Sequence, residues 1–326
     1  MTRPTDGRHV VVGTGPVGAA VARALVDRGT PASSIRLVNR SGEPGEPPIP
    51  SDLELVAGDV SDHDRARDVC AGAAVVYLCA SPPYGRWPEA FPPLMDGAIA
   101  GAAAADARLV FADNCYMYGP VDGPMTEDLP YDAETEKGTA RAAVARRLLD
   151  AHEDGEVDAA IGRASDFYGP GVRHSLVGER VFEPVITGDR VSLIGDPDAP
   201  HTVTYVDDFG ESLVTLGADD RAPGRAWHVP NAPTRSVREF VDLVAEVAGT
   251  DPTVRRVPTL LVRALGIASS RIGETVEVFY QYDEPFVVDD AAFVETFGDR
   301  PAATPLPEGI ARTIEWYRSV GAGEGE

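Results

Sequence analysis

The run Gly13-Thr14-Gly15-Pro16-Val17-Gly18 sits between a short apolar segment, His9 to Val12, and a segment of helical periodicity, Pro16 to Arg28. A G-x-G-x-x-G pattern alone is weak, but between a strand and a helix it is specific. Gly13 permits a tight turn, Gly15 lets a pyrophosphate approach the backbone, and Gly18 lets helix and strand pack closely. Phosphates then meet the free N–H groups at the helix start. In the helix, Pro16 suits the first turn, Val17, Val21, Ala24 and Leu25 share one face, and Gly29 ends it. The bland alternative, glycines serving only a turn, does not explain this placement.

Strand and helix patterns then alternate. Ile35–Val38, Leu53–Ala57, Ala74–Cys79, Arg108–Ala112 and Val157–Ile161 read as strands; Asp62–Cys70, Leu94–Ala105 and Thr135–His152 read as helices. Continuous apolar strands such as Ala74–Cys79 are buried on both faces. The expected fold is α/β, a Rossmann-type doubly wound parallel sheet with a smaller C-terminal substrate-binding region. Residues 1–170 are expected to form the dinucleotide-binding domain and 171–326 mainly the substrate region, with segments around 201–230 returning to the sheet. Two Pro-rich stretches, Gly42–Pro50 and Ser81–Pro93, follow predicted strands and belong at the carboxyl edge. The first reads equally as a stiff surface loop. The second reads as pocket wall, because Tyr84, Trp87 and Phe91 are costly to leave in water.

The formal net charge is -23, with 52 acidic against 29 basic side chains. Such a surface repels phosphate backbones and anionic lipid, so nucleic acid and membrane are excluded as main partners, and a small-molecule substrate is expected. Acid excess with a single lysine, Lys137, reads as adaptation to high salt, where screening removes self-repulsion. Cys70, Cys79 and Cys115 lack metal-ligand spacing; free thiols suit a reducing cytoplasm, and no metal is expected. No apolar run reaches spanning length, and Met1–Gly7 is too polar for a signal peptide. Neither G-x-S-x-G nor H-E-x-x-H occurs.

Strand two ends in Val38-Asn39-Arg40-Ser41. A carboxylate near here usually holds the ribose 2′-hydroxyl of NAD, whereas Arg40 and Ser41, with Asn39, offer donors to a 2′-phosphate. NADP is therefore the expected cofactor over NAD.

Gly58-Asp59-Val60, Leu78-Cys79-Ala80, the run Val110 to Gly119, Arg163-Ala164-Ser165-Asp166-Phe167-Tyr168-Gly169-Pro170-Gly171, Tyr205-Val206-Asp207-Asp208 and Trp316-Tyr317 occur in the order and spacing of one family. The chain resembles the extended short-chain dehydrogenase/reductases, the NAD(P)-dependent epimerase/dehydratase-like group, from His9 to about Arg318. One departure is Val12, where the family usually has glycine. The resemblance implies adenine contacts at Asp59 and Val60, nicotinamide-ribose contacts at Cys79 and Ala80, and a homodimer as one assembly.

The resemblance also implies a Ser or Thr after strand five and a Tyr-x-x-x-Lys pair on the next helix. Those positions hold Asn114, Lys137 and Arg141, and no Tyr-x-x-x-Lys occurs anywhere. Lys137 and Arg141 share one helix face. Lys137 is the expected catalytic cation, Asn114 the polariser of a developing oxyanion, and Tyr116 a reserve acid on the same side of the strand. Arg141 is assigned to the cofactor. Surface solvation of Lys137, packing of Tyr116 and turn-capping by Asn114 are the plain alternatives. Tyr84, Trp87, Asp166, Tyr168 and His174 are expected in the substrate pocket. The reading is an NADP-dependent oxidoreductase acting on a small carbonyl or alcohol. A catalytically silent NADP(H)-binding redox sensor and a nucleotide-sugar epimerase or dehydratase remain open.

Overall fold

The computed structural model describes residues 7–45, 49–260, 262, 277–298 and 301–321. β1 (Arg8–Val12), β2 (Ile35–Asn39), β3 (Glu54–Ala57), β4 (Ala73–Leu78), β5 (Arg108–Asp113) and β6 (Asp158–Arg163) join a seventh strand, Ala226–His228, in one sheet. The order is seventh-β6-β5-β4-β1-β2-β3, and all neighbours run parallel. The predicted α/β doubly wound Rossmann-type sheet is what the chain forms.

Helices cover both faces. α1 (Pro16–Asp27) packs with the helix Val206–Ala218 on one side. α2 (His63–Cys70), α3 (Trp87–Ala104) and α4 (Glu136–Glu153) cover the other. β1 supplies Val10 and Val12 to one face and Val11 to the other, the period-two alternation of a central strand. A third apolar cluster gathers Tyr168, Phe182, Phe240 and the C-terminal helix Leu306–Gly321 beside the sheet.

Two local expectations change. The Ser81–Pro93 stretch is not all loop: a 3-10 turn covers Tyr84–Arg86, and α3 starts at Trp87 with Pro88, Pro92 and Pro93 inside it. Pro88 falls where the helix has no intrahelical donor anyway. Burial of Trp87 and Phe91, one turn apart, holds the turn despite the two later prolines. The second change is that β5 ends at Asp113, and Tyr116 begins a 3-10 turn, Tyr116–Tyr118. Tyr116 and Asn114 are therefore not strand neighbours of equal facing. The stretch Gly42–Pro50 lies partly outside the described residues.

The strand order reverses between β1 and β4. A crevice opens at their carboxyl ends, where open α/β sheets bind ligands.

Candidate functional site

One cleft of about 1000 Å³ runs along this edge. That is the upper end of the range for a single small-ligand pocket, with room for a dinucleotide and a second molecule.

Its first end is the glycine turn. Gly13 adopts φ +102, and a Cβ there would stand 2.6 Å from the Ala80 nitrogen. A Cβ on Gly18 would lie 1.8 Å from the Gly13 oxygen, so this glycine seats α1 on the turn rather than lining the cleft. Gly15 differs: it begins α1 with no side-chain cap, and a Cβ would meet nothing within 4 Å. The space before Gly15, Pro16 and Val17 is thus open cradle beside free helix N–H groups, which fits a dinucleotide pyrophosphate.

Asn39 ties the β2 loop to this turn. Its Nδ2 donates to Thr14 Oγ1 at 2.8 Å and to the Glu43 carbonyl at 2.7 Å, and its Oδ1 accepts from the Gly42 N–H at 2.6 Å. Ser41 Oγ donates to Asn39 Oδ1 at 3.3 Å and does not line the cleft. Arg40 does line it, with its side chain exposed. Asp59 Oδ1 accepts from Ser61 Oγ at 2.6 Å and Ser61 N at 3.0 Å. These bonds, and more weakly Arg40, hold its carboxyl below the usual range. Val60, Cys79 and Ala80 complete this half.

At the inner end lie Asn114, Tyr116, Tyr84, Trp87, Arg141 and Asp166. Asn114 Oδ1 accepts from the Tyr116 N–H at 3.2 Å, capping the 3-10 turn. Arg141 is 6% exposed; its guanidinium lies 4.3 Å from the Trp87 ring centre and 4.5 Å from that of Phe91. Its Nη1 donates to Asp113 Oδ1 at 3.2 Å. The other Asp113 oxygen accepts from Arg163 Nε at 3.1 Å. Burial pushes the Tyr116 phenol up to about 12 and Asp166 adds to the rise, while the Gln281 and Tyr84 side chains, and after them the Arg141 charge, oppose it.

Lys137 is placed elsewhere. It is 3% exposed, ion-paired with Glu277, stacked 4.4 Å over the Tyr84 ring, and not among the residues lining the cleft. Glu277 also accepts the Glu136 N–H at 2.8 Å, in the first turn of α4. Among the substrate-side expectations, Tyr84, Trp87, Asp166 and the exposed His174 line the cleft. Tyr168 does not: it is buried against Tyr205 and Phe240.

Sequence reasoning gave no role to Asp113, Arg163 or Gln281. Asp166 Oδ2 is bonded to His201 Nε2 at 2.8 Å, and His201 stacks on Phe286. These partners are far apart in the chain and carry no short-range signal. Asp113 and Arg163 stood inside recognisable motifs, whereas Gln281 and His201 did not. No cluster suited to a metal ion occurs among the described residues, and none of the described helices is long and apolar enough to cross a membrane.

Residues 10–229 match the NAD dependent epimerase/dehydratase family. The chain belongs to that family. It is 27% identical to a dTDP-glucose 4,6-dehydratase of Streptomyces griseus, over 62% of this chain and 56% of that protein. The chain therefore spans little more than half the length of that relative. It is 24% identical to a probable UDP-glucuronate 4-epimerase of Rhizobium meliloti, over 95% of this chain and 96% of that one. Among solved structures, a Streptomyces venezuelae dTDP-glucose 4,6-dehydratase double mutant with NAD bound superposes with a TM-score of 0.74 at 19% identity, covering 97% and 98% of the chains. An epimerase of Methanothermobacter thermautotrophicus gives 0.78 at 17%, covering 97% and 94%. Those two likenesses concern the family fold.

Proposed function

We propose that this family member is an NADP-dependent enzyme that moves hydride to or from an alcohol or carbonyl carbon, with Tyr116 and Arg141 in place of the usual tyrosine and lysine. One observation carries the reading. A single cleft has a bare phosphate cradle at one end and, at the other, a phenol beside a buried guanidinium.

When bound, the nicotinamide ring supplies or accepts the hydride. The protein's task is to place the substrate and handle the proton. Tyr116, held protonated by burial, gives its proton to the oxygen of a newly reduced carbon. Arg141 stabilises the phenolate left behind, and Asp113 with the aromatic stack fixes the guanidinium. Asn114 offers an amide donor to the same oxygen. Lys137 has no part in this chemistry, because its charge is engaged by Glu277 outside the cleft.

The preference for NADP is supported by Arg40 at the end of β2 and by the lack of a cleft-lining carboxylate on that loop among the described residues. The relatives support a second reading of the substrate, a nucleotide-linked sugar.

The test is titration with NADPH and NADH at molar KCl, chosen because the acid excess reads as salt adaptation. Arg40→Ala is expected to weaken NADPH at least tenfold and NADH less than twofold. Equal loss for both removes the NADP preference, and failure to bind either nucleotide removes the function. Tight NADPH binding with no conversion of UDP-glucuronic acid or dTDP-glucose in the presence of NADP, and no oxidation of NADPH by a simple carbonyl panel, favours the sensor.

A further inference from the structure

Two cleft side chains besides Arg141 bear on the Tyr116 phenol. The Gln281 amide and the Tyr84 hydroxyl are both hydrogen-bonding partners of its oxygen. Burial raises that phenol, and these two oppose the rise ahead of the Arg141 charge. All four residues line the inner end of the cleft.

The surroundings fix which group donates. Burial, and then Tyr116 itself, keeps the Tyr84 phenol protonated, so Tyr84 donates and the Tyr116 oxygen accepts. The Trp87 ring holds both in place, with its centre 4.9 Å from that of Tyr84 and 6.0 Å from that of Tyr116. Gln281 is 1% exposed and sits on the short helix Tyr280–Asp283. Its amide makes no other hydrogen bond among the described residues. Buried amides are rarely left so poorly served, and a single polar neighbour implies a demand at that neighbour. Only the amide N–H lowers the pKa of a phenol, because it bonds the charged form. Arg141 differs: its Nη1 is turned to Asp113 at 3.2 Å, and it reaches Tyr116 as a charge.

We propose that Tyr84 and Gln281 form a two-donor hole that holds the Tyr116 phenolate during proton delivery. The proposal deepens the redox reading of the same cleft and rests on it. When Tyr116 protonates the alkoxide of a newly reduced carbon, its O–H bond breaks, a substrate O–H bond forms, and the negative charge passes to the phenol oxygen. Tyr84 and Gln281 keep their own hydrogens. They bond that charge more strongly than they bond the neutral phenol, so their help is greatest once the proton has moved. In the reverse direction the same phenolate takes the proton of the alcohol.

The first test needs no substrate. Tyr116→3,5-difluorotyrosine places a more acidic phenol on the same ring, and its fluorine resonances follow ionisation in the full chain at molar KCl. Adding Gln281→Met or Tyr84→Phe should raise the midpoint by about one pH unit each, the worth of one hydrogen bond to a charged group. Tyr84→Phe removes a single oxygen, so it decides the matter even where Gln281→Met does not fold. NADPH oxidation by the carbonyl panel gives a second readout. With Tyr116 present, each variant should lower kcat about ten- to hundredfold and leave the KM for NADPH within twofold. In a Tyr116→Phe background neither should lower kcat further, since no phenolate is left to hold. A midpoint unmoved in either variant overturns the proposal. So does an equal loss of kcat in both backgrounds, which assigns the side chains to the substrate or the fold. A parent that binds neither nucleotide removes the redox reading separately, since the midpoints are read without cofactor.

Discussion

Lys137 and Tyr116 compete for one role, and their surroundings separate them. An amine buried against an aromatic ring and paired with Glu277 is a fixed cation holding the first turn of α4 to the segment at residue 277. A phenol on the cleft wall beside a guanidinium has somewhere to send its proton. Tyr116→Phe should lower kcat by about 10²–10⁴-fold with NADPH affinity intact. Lys137→Met should change kcat less than threefold and cost about 1–3 kcal/mol of stability, from the unpaired Glu277. Turnover and urea midpoints of both variants check this. The reverse pattern, a silent Lys137→Met beside an active Tyr116→Phe, returns the role to the lysine. The sequence located both residues but put Lys137 ahead of Tyr116, because the deciding partner, Glu277, is remote in the chain.

At the scale of elements, two glycines act by opposite means. A Cβ on Gly15 meets only the open cradle, and Gly15 has φ -71, which alanine adopts freely. A Cβ on Gly97 would stand 1.8 Å from the Val60 carbonyl, where α3 lies against the turn after β3. Gly15→Ala should fold with the parent's urea midpoint and lose dinucleotide affinity at least tenfold. Gly97→Ala should lose about 1–3 kcal/mol through overpacking, with binding weakened only as the turn shifts. A Gly15→Ala protein that binds NADPH normally shows that the cradle holds no phosphate. The glycine turn was legible because its spacing, preceding strand and following helix all lie within twenty residues of one another. Periodic segments such as α4 were legible for the same reason. The start of α3 was not: Pro88, Pro92 and Pro93 argue for loop, and only tertiary burial of Trp87 and Phe91 overrides them. The cleft's inner wall was half legible. Asn114, Tyr116 and Arg141 could be placed by position, while Gln281 and the His201–Asp166 bond depend on how distant segments meet.

Across the whole molecule, the pair Asp207 and Asp208 fastens three parts together, and Asp208 sets a pH dependence. Asp207 accepts from Arg23 Nε of α1 at 3.2 Å. Asp208 accepts from Thr304 N at 2.7 Å and Thr304 Oγ1 at 2.6 Å, which draws the segment before the C-terminal helix onto the sheet domain. Burial raises the Asp208 carboxyl from 3.8 to about 6. Its folded value lies above its unfolded one, so its contribution is fully present below pH 4 and is lost as pH rises through 6. His228 does the opposite. Its Nδ1–H donates to the Asp289 carbonyl at 2.9 Å, its Nε2 accepts from Tyr118 at 2.8 Å, and Arg163 in turn donates to the Tyr118 oxygen at 2.6 Å. Burial, then the Arg163 charge, lowers it from 6.5 to about 4, so its contribution is present above pH 6.5 and lost as pH falls through 4. The two slopes cancel in the parent between pH 4 and 6.5. Asp208→Asn keeps an acceptor for Thr304 N and turns an amide donor to Thr304 Oγ1, but cannot ionise. Its stability relative to the parent should therefore rise by up to about 3 kcal/mol between pH 4 and 7. The variant alone should also expose the acid-side loss belonging to His228. Urea unfolding at half-unit pH steps measures both curves, and a difference that stays constant from pH 4 to 7 removes Asp208 as the cause.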